Sequence, residues 1–415
     1  MKSWKGKLIG MKILKRVTAV LLTAVVAVSF TACGGRSEHA KKLNIDTAVS
    51  INIWYQDDAY TSYLDYIAQQ FHKANEFITV NPVKVEENNL LDAVYNGSIA
   101  QNNVADVYLM EASDMQRAYL MGLTAENDAY TQYYSQKHFP VTAVNAACYE
   151  GKLYGYPVTF HTAVMVYNKK YATAPENFEQ IEAFLNSYQV TDENKDVNMI
   201  VGWDTQDLWT NYAFGGSYVD NGGAQGEDAE SDAQTEALKA AMTEYAALQN
   251  TFGIVDKTQE EYKQMFINNQ LIYTILDSTQ LADLNASGVD YGICAVPGAK
   301  TGFGTQSLSD TILAMVNPYS ENTDTAKAVA QAISYDYADL LEKDTGYISA
   351  RTDVADKNKK VLYQPLYEVY AKSDSYAKYI GADEFYVRYS ILLHNIWKGE
   401  DLNESVDAFI KAVSR

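Results

Sequence analysis

The chain has 415 residues, with 33 Lys plus Arg against 53 Asp plus Glu, a net charge of -20, 47% hydrophobic residues and only 7 Pro. That is too long for one ordinary core and too apolar for a disordered chain, so two globular units are expected. Its acidity excludes nucleic acid as a partner, because a phosphate backbone needs a basic footprint, and its three Cys, at 33, 148 and 294, build neither a disulfide scaffold nor a CxxC zinc cluster.

In chain order, the first segment is an address. Lys2, Lys5, Lys7, Lys12, Lys15 and Arg16 form a basic stretch, and Val17 to Phe30 is an uncharged apolar run too short to span a bilayer, as in a signal peptide. Phe30-Thr31-Ala32-Cys33-Gly34-Gly35 resembles a bacterial lipoprotein processing site. That resemblance implies a signal peptide over 1–32, lipidation of Cys33 and anchoring to the cell membrane from outside, with 33–44 as a flexible tether. No later segment is apolar enough to span a membrane, so the processed chain is expected to be soluble and extracytoplasmic.

From Ile51 onward strands and helices alternate. Strands are predicted at 51–54, 78–85 and 105–110, with helices at 61–73, 90–100 and from Ser113 to near Gly122. A second series follows: strand 163–167, helix 176–187, strand 197–202, and a helix from about Gln234 to Asn250 behind a Gly-rich acidic loop at 217–232. Thr258-Gln259-Glu260-Glu261 matches a capping box and opens a helix to Asn268, backed by strand 271–276. Strands at 291–296 and 311–316 precede helices at 323–334, 362–371, 384–397 and 402–413. The alternation predicts an α/β protein with open, mostly parallel sheets flanked by helices on both faces.

Several segments, in order, resemble the maltose-type extracellular solute-binding proteins of bacterial ABC importers. They are Ala105 to Met110 (ADVYLM) with Ala118 to Ala125 (AYLMGLTA), Lys152 to Lys169 (KLYGYPVTFHTAVMVYNK), Phe266 to Asp277 with Tyr291 to Gly298 (YGICAVPG), and Thr345 to Asp353 (TGYISARTD). Ser349 stands where that family commonly has Pro. The resemblance covers almost the whole processed chain. It implies a two-lobed periplasmic-binding-protein-like fold with three interlobe crossings. One lobe would hold 45–160 plus 295–345, the other 161–292 plus 346–415, and they would close over a ligand by hinge bending.

Ligands of open α/β sheets bind beyond the carboxyl ends of the strands, and neutral sugars need flat aromatic faces and planar polar groups there. After the first strand come Trp54, Tyr55, Asp57 and Asp58. Trp54 serves either as a platform or as core, the two Asp either as ligands or as helix caps, and Asp58 falls where the family places an acidic sugar ligand. Glu111 follows the third strand. His161 lies in the first crossing, where relatives often carry Glu, so the resemblance leaves the hydroxyl pattern altered here. Trp203 and Trp209 follow a strand of the second lobe. Asp277 and Ser278 stand where many relatives present Trp, Tyr386 matches a family aromatic, and Arg351 with Tyr347 flanks the third crossing. With 33 Tyr against 5 Trp, stacking in the cleft is expected to fall largely to Tyr.

Cys148 and Cys294 read as buried apolar thiols, with a bridge between them left open. No GxSxG, HExxH or GxxxxGK[ST] string is present, and the His spacing suits no metal. The Asp58 and Glu111 pair leaves a glycosidase as the alternative, and a receptor for another polar solute as the nearer one. The reading is a binding protein rather than an enzyme, without cofactor. It is expected to be a monomer that captures a carbohydrate, an oligosaccharide in this reading, and hands it to ABC permease subunits.

Overall fold

The structure is a computed structural model that describes residues 42–86, 89–102, 104–221, 235–354 and 357–413. The basic leader, the apolar run, Cys33 and most of the 217–232 loop therefore lie outside the described residues. Eleven strands are described: β1 (Val49–Tyr55), β2 (Ile78–Lys84), β3 (Val107–Glu111), a small hairpin of β4 (Cys148–Tyr149) and β5 (Lys152–Leu153), β6 (Tyr156–Asn168), β7 (Met199–Val201), β8 (Leu271–Asp277), β9 (Tyr291–Cys294), β10 (Leu308–Val316) and β11 (Asp374–Ser375).

The main sheet runs β2-β1-β3-β10-β6-β8-β7, with β11 joined to β10 and β9 to β6. β1 is parallel to β2 and β3, and β7 is parallel to β8, because in each case a helix carries the chain back between neighbours. β10 and β6 are different: β10 pairs antiparallel with β3 and β6, and β6 pairs antiparallel with β8 and β9. β6 is a single strand of 13 residues, far longer than the predicted 163–167. Its first part, through Thr162, pairs with β10, and from Ala163 onward it pairs with β8. The sequence hides this length because β6 is buried on both faces, so no alternation marks its start.

Most predicted helices are found within two residues of their expected ends. The Gln259–Ile267 helix carries the capping box in full, with the Thr258 side chain on the Glu261 amide and Glu261 reaching back. The Leu208–Gly216 helix was not predicted. It buries every residue from Thr210 to Gly216, so it shows no amphipathic stripe. The 323–334 helix ends as α-helix at Gln331 and continues as a π-turn, Ala332–Asp336, before a further helix, Ala338–Thr345. No helix among the described residues is long and apolar enough to cross a membrane.

The Tyr surplus is spent mainly in the core rather than in the cleft. Tyr63, Tyr108, Tyr212, Tyr245 and Tyr389 are fully enclosed. Each settles its hydroxyl on an acceptor inside the fold, as Tyr63 does on the Ile333 carbonyl at 2.6 Å, Tyr108 on the Leu123 carbonyl at 3.0 Å and Tyr212 on the half-buried Asp374 carboxylate at 2.9 Å. A buried Tyr needs such a partner, and these hydroxyls tie helices to strands across the core. Cys148 and Cys294 are free and half-buried, and burial raises both thiols, Cys294 to about 12.

Candidate functional site

The carboxyl ends of β1 and β3 and the turns after β7 and β8 open onto one cleft, floored by β6 and β10. It comprises a cavity of about 640 Å³ and an adjoining one of about 530 Å³ that share Glu111, Asp114, Arg117, His161 and Trp209. From β1 and the turn behind it come Tyr55, Gln56 and Asp57; from β3, Met110 and Glu111; from β6, Thr159, Phe160 and His161. The opposite wall brings Trp209, Gln259, Asp277 and Thr279. Tyr347 reaches across from the third crossing, donating its hydroxyl to Asp57 Oδ2 at 2.6 Å.

Local chemistry fixes each group. Asp57 caps the short turn after β1, its Oδ1 accepting from the Ala59 amide at 2.9 Å, so the cap role is realised while the side chain still lines the cleft. Trp209 sits in the first turn of the Leu208–Gly216 helix, whose N-cap is Asp207. Its indole packs 4.4 Å from the His161 ring and stacks on Tyr376 at 5.7 Å, and Tyr376 in turn stacks on Tyr386 at 3.8 Å. Gln259, first residue of the capping-box helix, accepts from the Asp277 amide at 3.0 Å and donates to Asp207 at 2.9 Å. The helix start is thereby fastened to the cleft wall.

The floor is strongly charged. His161 Nδ1 lies 3.0 Å from Asp277 Oδ2. Burial opposes the imidazolium, but the hydrogen bond and charge of Asp277, backed by Asp310 and Glu111, raise its pKa to about 9. Burial likewise opposes the Asp277 carboxylate, which His161 and Thr279 hold below its ordinary value. Asp310 is nearly inaccessible. Burial and the neighbouring Glu111 push it up to about 7, against the pull of His161, Ser113 and the Thr311 amide. Burial, with Glu111 and Asp383 nearby, also raises Asp114, although Arg117 works the other way. Lys378 is buried with its ammonium on the carbonyls of Asn145 and Cys148, and burial lowers it to about 8.

Of the residues predicted from sequence, Tyr55, Asp57, Glu111, His161, Trp209 and Asp277 line the cleft. The others take different places. Trp54 is buried in a second core with Tyr108, Met110 and Leu313, because it points to the face of β1 away from Tyr55. Asp58 is exposed and pairs with Lys84 at 2.9 Å. Trp203 is fully buried and donates its indole N–H to Asn211 Oδ1 at 2.9 Å. The Ser278 hydroxyl accepts from the Thr162 amide at 3.1 Å, a backbone duty rather than a ligand contact. Tyr386 lies behind Tyr376, its hydroxyl taken by Asn221 at 2.9 Å and the Ala377 amide at 2.9 Å. Arg351 covers the Tyr335 ring and binds Asp353 at 2.6 Å, outside the cleft lining. The sequence reading passed over Tyr376, Asp310 and Gln259. An acidic residue ahead of an apolar strand and a Gln at a capped helix start are the signals that could have found the last two.

With that geometry in view, the chain matches the profile of the bacterial extracellular solute-binding proteins over residues 66–367. It is 22% identical over 308 residues to the maltodextrin-binding protein MdxE of Bacillus subtilis strain 168, covering 70% of each chain. Its fold superposes on the crystal structure of a cyclo/maltodextrin-binding protein complexed with maltotetraose with a TM-score of 0.72 at 16% identity, over 89% of this chain and 98% of that one. It also superposes on the extracellular solute-binding protein of Staphylococcus aureus in complex with maltose with a TM-score of 0.71 at 18% identity, again over 89% and 98%. The two-lobed α/β architecture, the cleft between strand ends and the long family match together make this chain a member of the bacterial extracellular solute-binding proteins.

Proposed function

We propose that the protein is a receptor for a maltodextrin-like oligosaccharide, tethered to the outer face of the cell membrane through a lipid on Cys33, and that it delivers its ligand to the permease subunits of an ABC importer. The observation that carries this reading is the half-buried Trp209 indole, 4.4 Å from the His161 ring and stacked on Tyr376, at the edge of a cleft whose lining mixes apolar side chains such as Leu91, Met110 and Ile312 with carboxylates, hydroxyls and amides. An aromatic face suits the C–H surface of a pyranose, and planar acceptors suit its hydroxyls. Arg117 is engaged by Asp92 at 2.9 Å and Lys378 by two carbonyls, so little free positive charge is left to favour an anionic solute. The names of MdxE and of the maltotetraose-bound structure support the ligand class.

In this reading Tyr55, Asp57, Glu111, His161, Trp209 and Asp277 contact the sugar, together with Tyr347 and Tyr376. The lobes comprise 45–160 plus 295–345 and 161–292 plus 346–415. Contacts made from both lobes exist together only when the cleft is closed, so ligand shifts the open-closed equilibrium, and the permease reads closure. Calorimetric titration with maltose, maltotriose and maltotetraose, run beside a product assay on the same sugars, tests this. Stoichiometric binding without turnover is expected. Turnover, or silence across the panel, would overturn it.

A further inference from the structure

Between the Lys357–Lys372 helix and the Ala382–Trp397 helix the chain runs as a strap, and from Tyr376 onward it walls the second cavity of the cleft. The first residues of the strap are sewn to β10. β11 pairs Asp374 with Leu308 and Ser375 with Ser309, the Tyr376 amide donates to the Ser309 carbonyl at 2.8 Å, and the Asp374 carboxylate accepts from the Tyr212 hydroxyl at 2.9 Å. Its later residues are fastened to a different part of the molecule. Lys378 Nζ donates to the Asn145 carbonyl at 2.9 Å and to the Cys148 carbonyl, the Ile380 amide donates to the Gln116 side-chain oxygen, and the Gln116 side-chain amide donates to the Tyr149 hydroxyl at 3.0 Å. In the lobe division proposed above, the strap lies in one lobe and Gln116, Asn145, Cys148 and Tyr149 in the other, so these bonds cross from lobe to lobe.

Tyr376 stands between the two fastenings. Its ring lies 3.8 Å from the Tyr386 ring and 5.7 Å from the Trp209 indole, its hydroxyl donates to Asp383 at 2.9 Å, and the next amide, of Ala377, donates to the Tyr386 hydroxyl. Lys378 follows two residues later and is only 1% exposed. Asn145 lies in the last turn of the short Val141–Ala146 helix, where backbone carbonyls have no partner within the helix, and an ammonium satisfies such groups. Burying a charge on neutral carbonyls is costly, and an apolar side chain of similar length would fill the same space more cheaply. What the ammonium supplies is direction. Two acceptors at fixed places determine where the strap turns, and with it where residue 376 sits.

We propose that Lys378, with the Ile380 amide behind it, is a positioning residue for the ligand: by latching the strap to the opposite lobe it holds Tyr376 against Trp209 and so fixes the aromatic wall that a sugar meets. This deepens the receptor reading and rests on it for its ligand. The Lys378 ammonium is spent on the two carbonyls, so its influence on binding passes through Tyr376. With the latch cut, the strap keeps its anchor at β10 while its later residues are free to swing. Trp209 then loses the support of Tyr376 and keeps only His161 beside it, at 4.4 Å. A lysine that merely stabilised the fold would weaken binding, if at all, by an amount independent of what stands at position 376.

The test is a double-mutant cycle on the full processed chain, read as maltotetraose affinity by calorimetry. Tyr376→Ala should weaken binding about tenfold and Lys378→Met about fivefold, the loss of a packed ring and of its support. The double variant should bind no more weakly than Tyr376→Ala alone. A double variant weaker than that, up to the roughly fiftyfold product of independent losses, overturns the proposal and leaves Lys378 a structural residue, and so does wild-type affinity in Lys378→Met. Where Lys378→Met does not fold, Gln116→Leu releases the Ile380 amide from a half-buried position without touching a buried charge. Its loss of affinity should likewise vanish in the Tyr376→Ala background, and an additive loss, or none, overturns the proposal. Should no sugar bind the wild type, the receptor reading falls instead, and the ligand-free protein decides the latch. The indole N–H resonance lost in Trp209→Phe should then move in Tyr376→Ala and in whichever latch variant folds, and a resonance unmoved by cutting the latch overturns it.

Discussion

Trp209 and His161 concentrate the chemistry of the cleft into one contact. Trp209→Ala removes a stacking face from the cleft edge while leaving the helix cap at Asp207 in place. It should weaken maltotetraose binding by roughly 2 kcal/mol, or about thirtyfold, with an unchanged circular-dichroism spectrum, read by calorimetry. His161→Gln leaves Asp277 buried without its cation. The His161 pKa is raised in the fold, so its stabilisation is complete below about 6.5, the ordinary His value, and is lost as pH rises through about 9. Asp277 is lowered, so its share is present above the ordinary carboxylate value and is lost as pH falls through its folded value. Denaturant unfolding should therefore show His161→Gln less stable than wild type by on the order of 3 kcal/mol near pH 6, the gap shrinking toward pH 9. A constant gap would refute the pairing. Both residues were legible in sequence, one as an aromatic after a strand and one as a departure from a family pattern. Trp54 and Trp203 carried similar signals and went to the core, because a residue type says nothing of which face of its strand it occupies.

At the level of elements, legibility followed periodicity. The 61–73 and 90–100 helices and the capping-box helix show their ends in their residues, and the structure keeps those ends within a residue or two. The Leu208–Gly216 helix, which carries Trp209 to the cleft, was silent because it is buried all round and closes on Gly215 and Gly216. Those glycines are themselves informative. A Cβ at Gly216 would stand 2.5 Å from the Gln306 carbonyl oxygen and 2.6 Å from the Tyr212 ring, and a backbone oxygen has little room to retreat. Gly216→Ala should cost about 1 to 3 kcal/mol in denaturant unfolding and loosen sugar binding with it, since the displaced helix holds the indole. Unchanged stability would show that the helix end can slide.

Over the whole molecule, the charge count changes meaning once the leader is set aside. Six basic residues precede Cys33 and no acidic one does, so the proposed processing at Cys33 would leave 27 basic and 53 acidic groups, a net charge of -26. On a tethered receptor that charge would hold the lobes off an anionic bilayer. Cys33→Ser should move the protein from the membrane fraction to the medium with sugar affinity unchanged, read by fractionation and calorimetry; retention in the membrane would remove the anchor from the proposal. β10 has a consequence of another kind, in the order of events as the chain folds. β3 is complete by Glu111, yet the partner that covers its open edge pairs through Leu109↔Ala314 and Val107↔Val316, roughly two hundred residues further along. Until that stretch has emerged, the β2-β1-β3 sheet must wait with an apolar strand exposed, a template for wrong pairing. The open edge of β3 is thus where wrong pairing would begin before Val316 is available, and a factor that guards the folding chain should act on that edge.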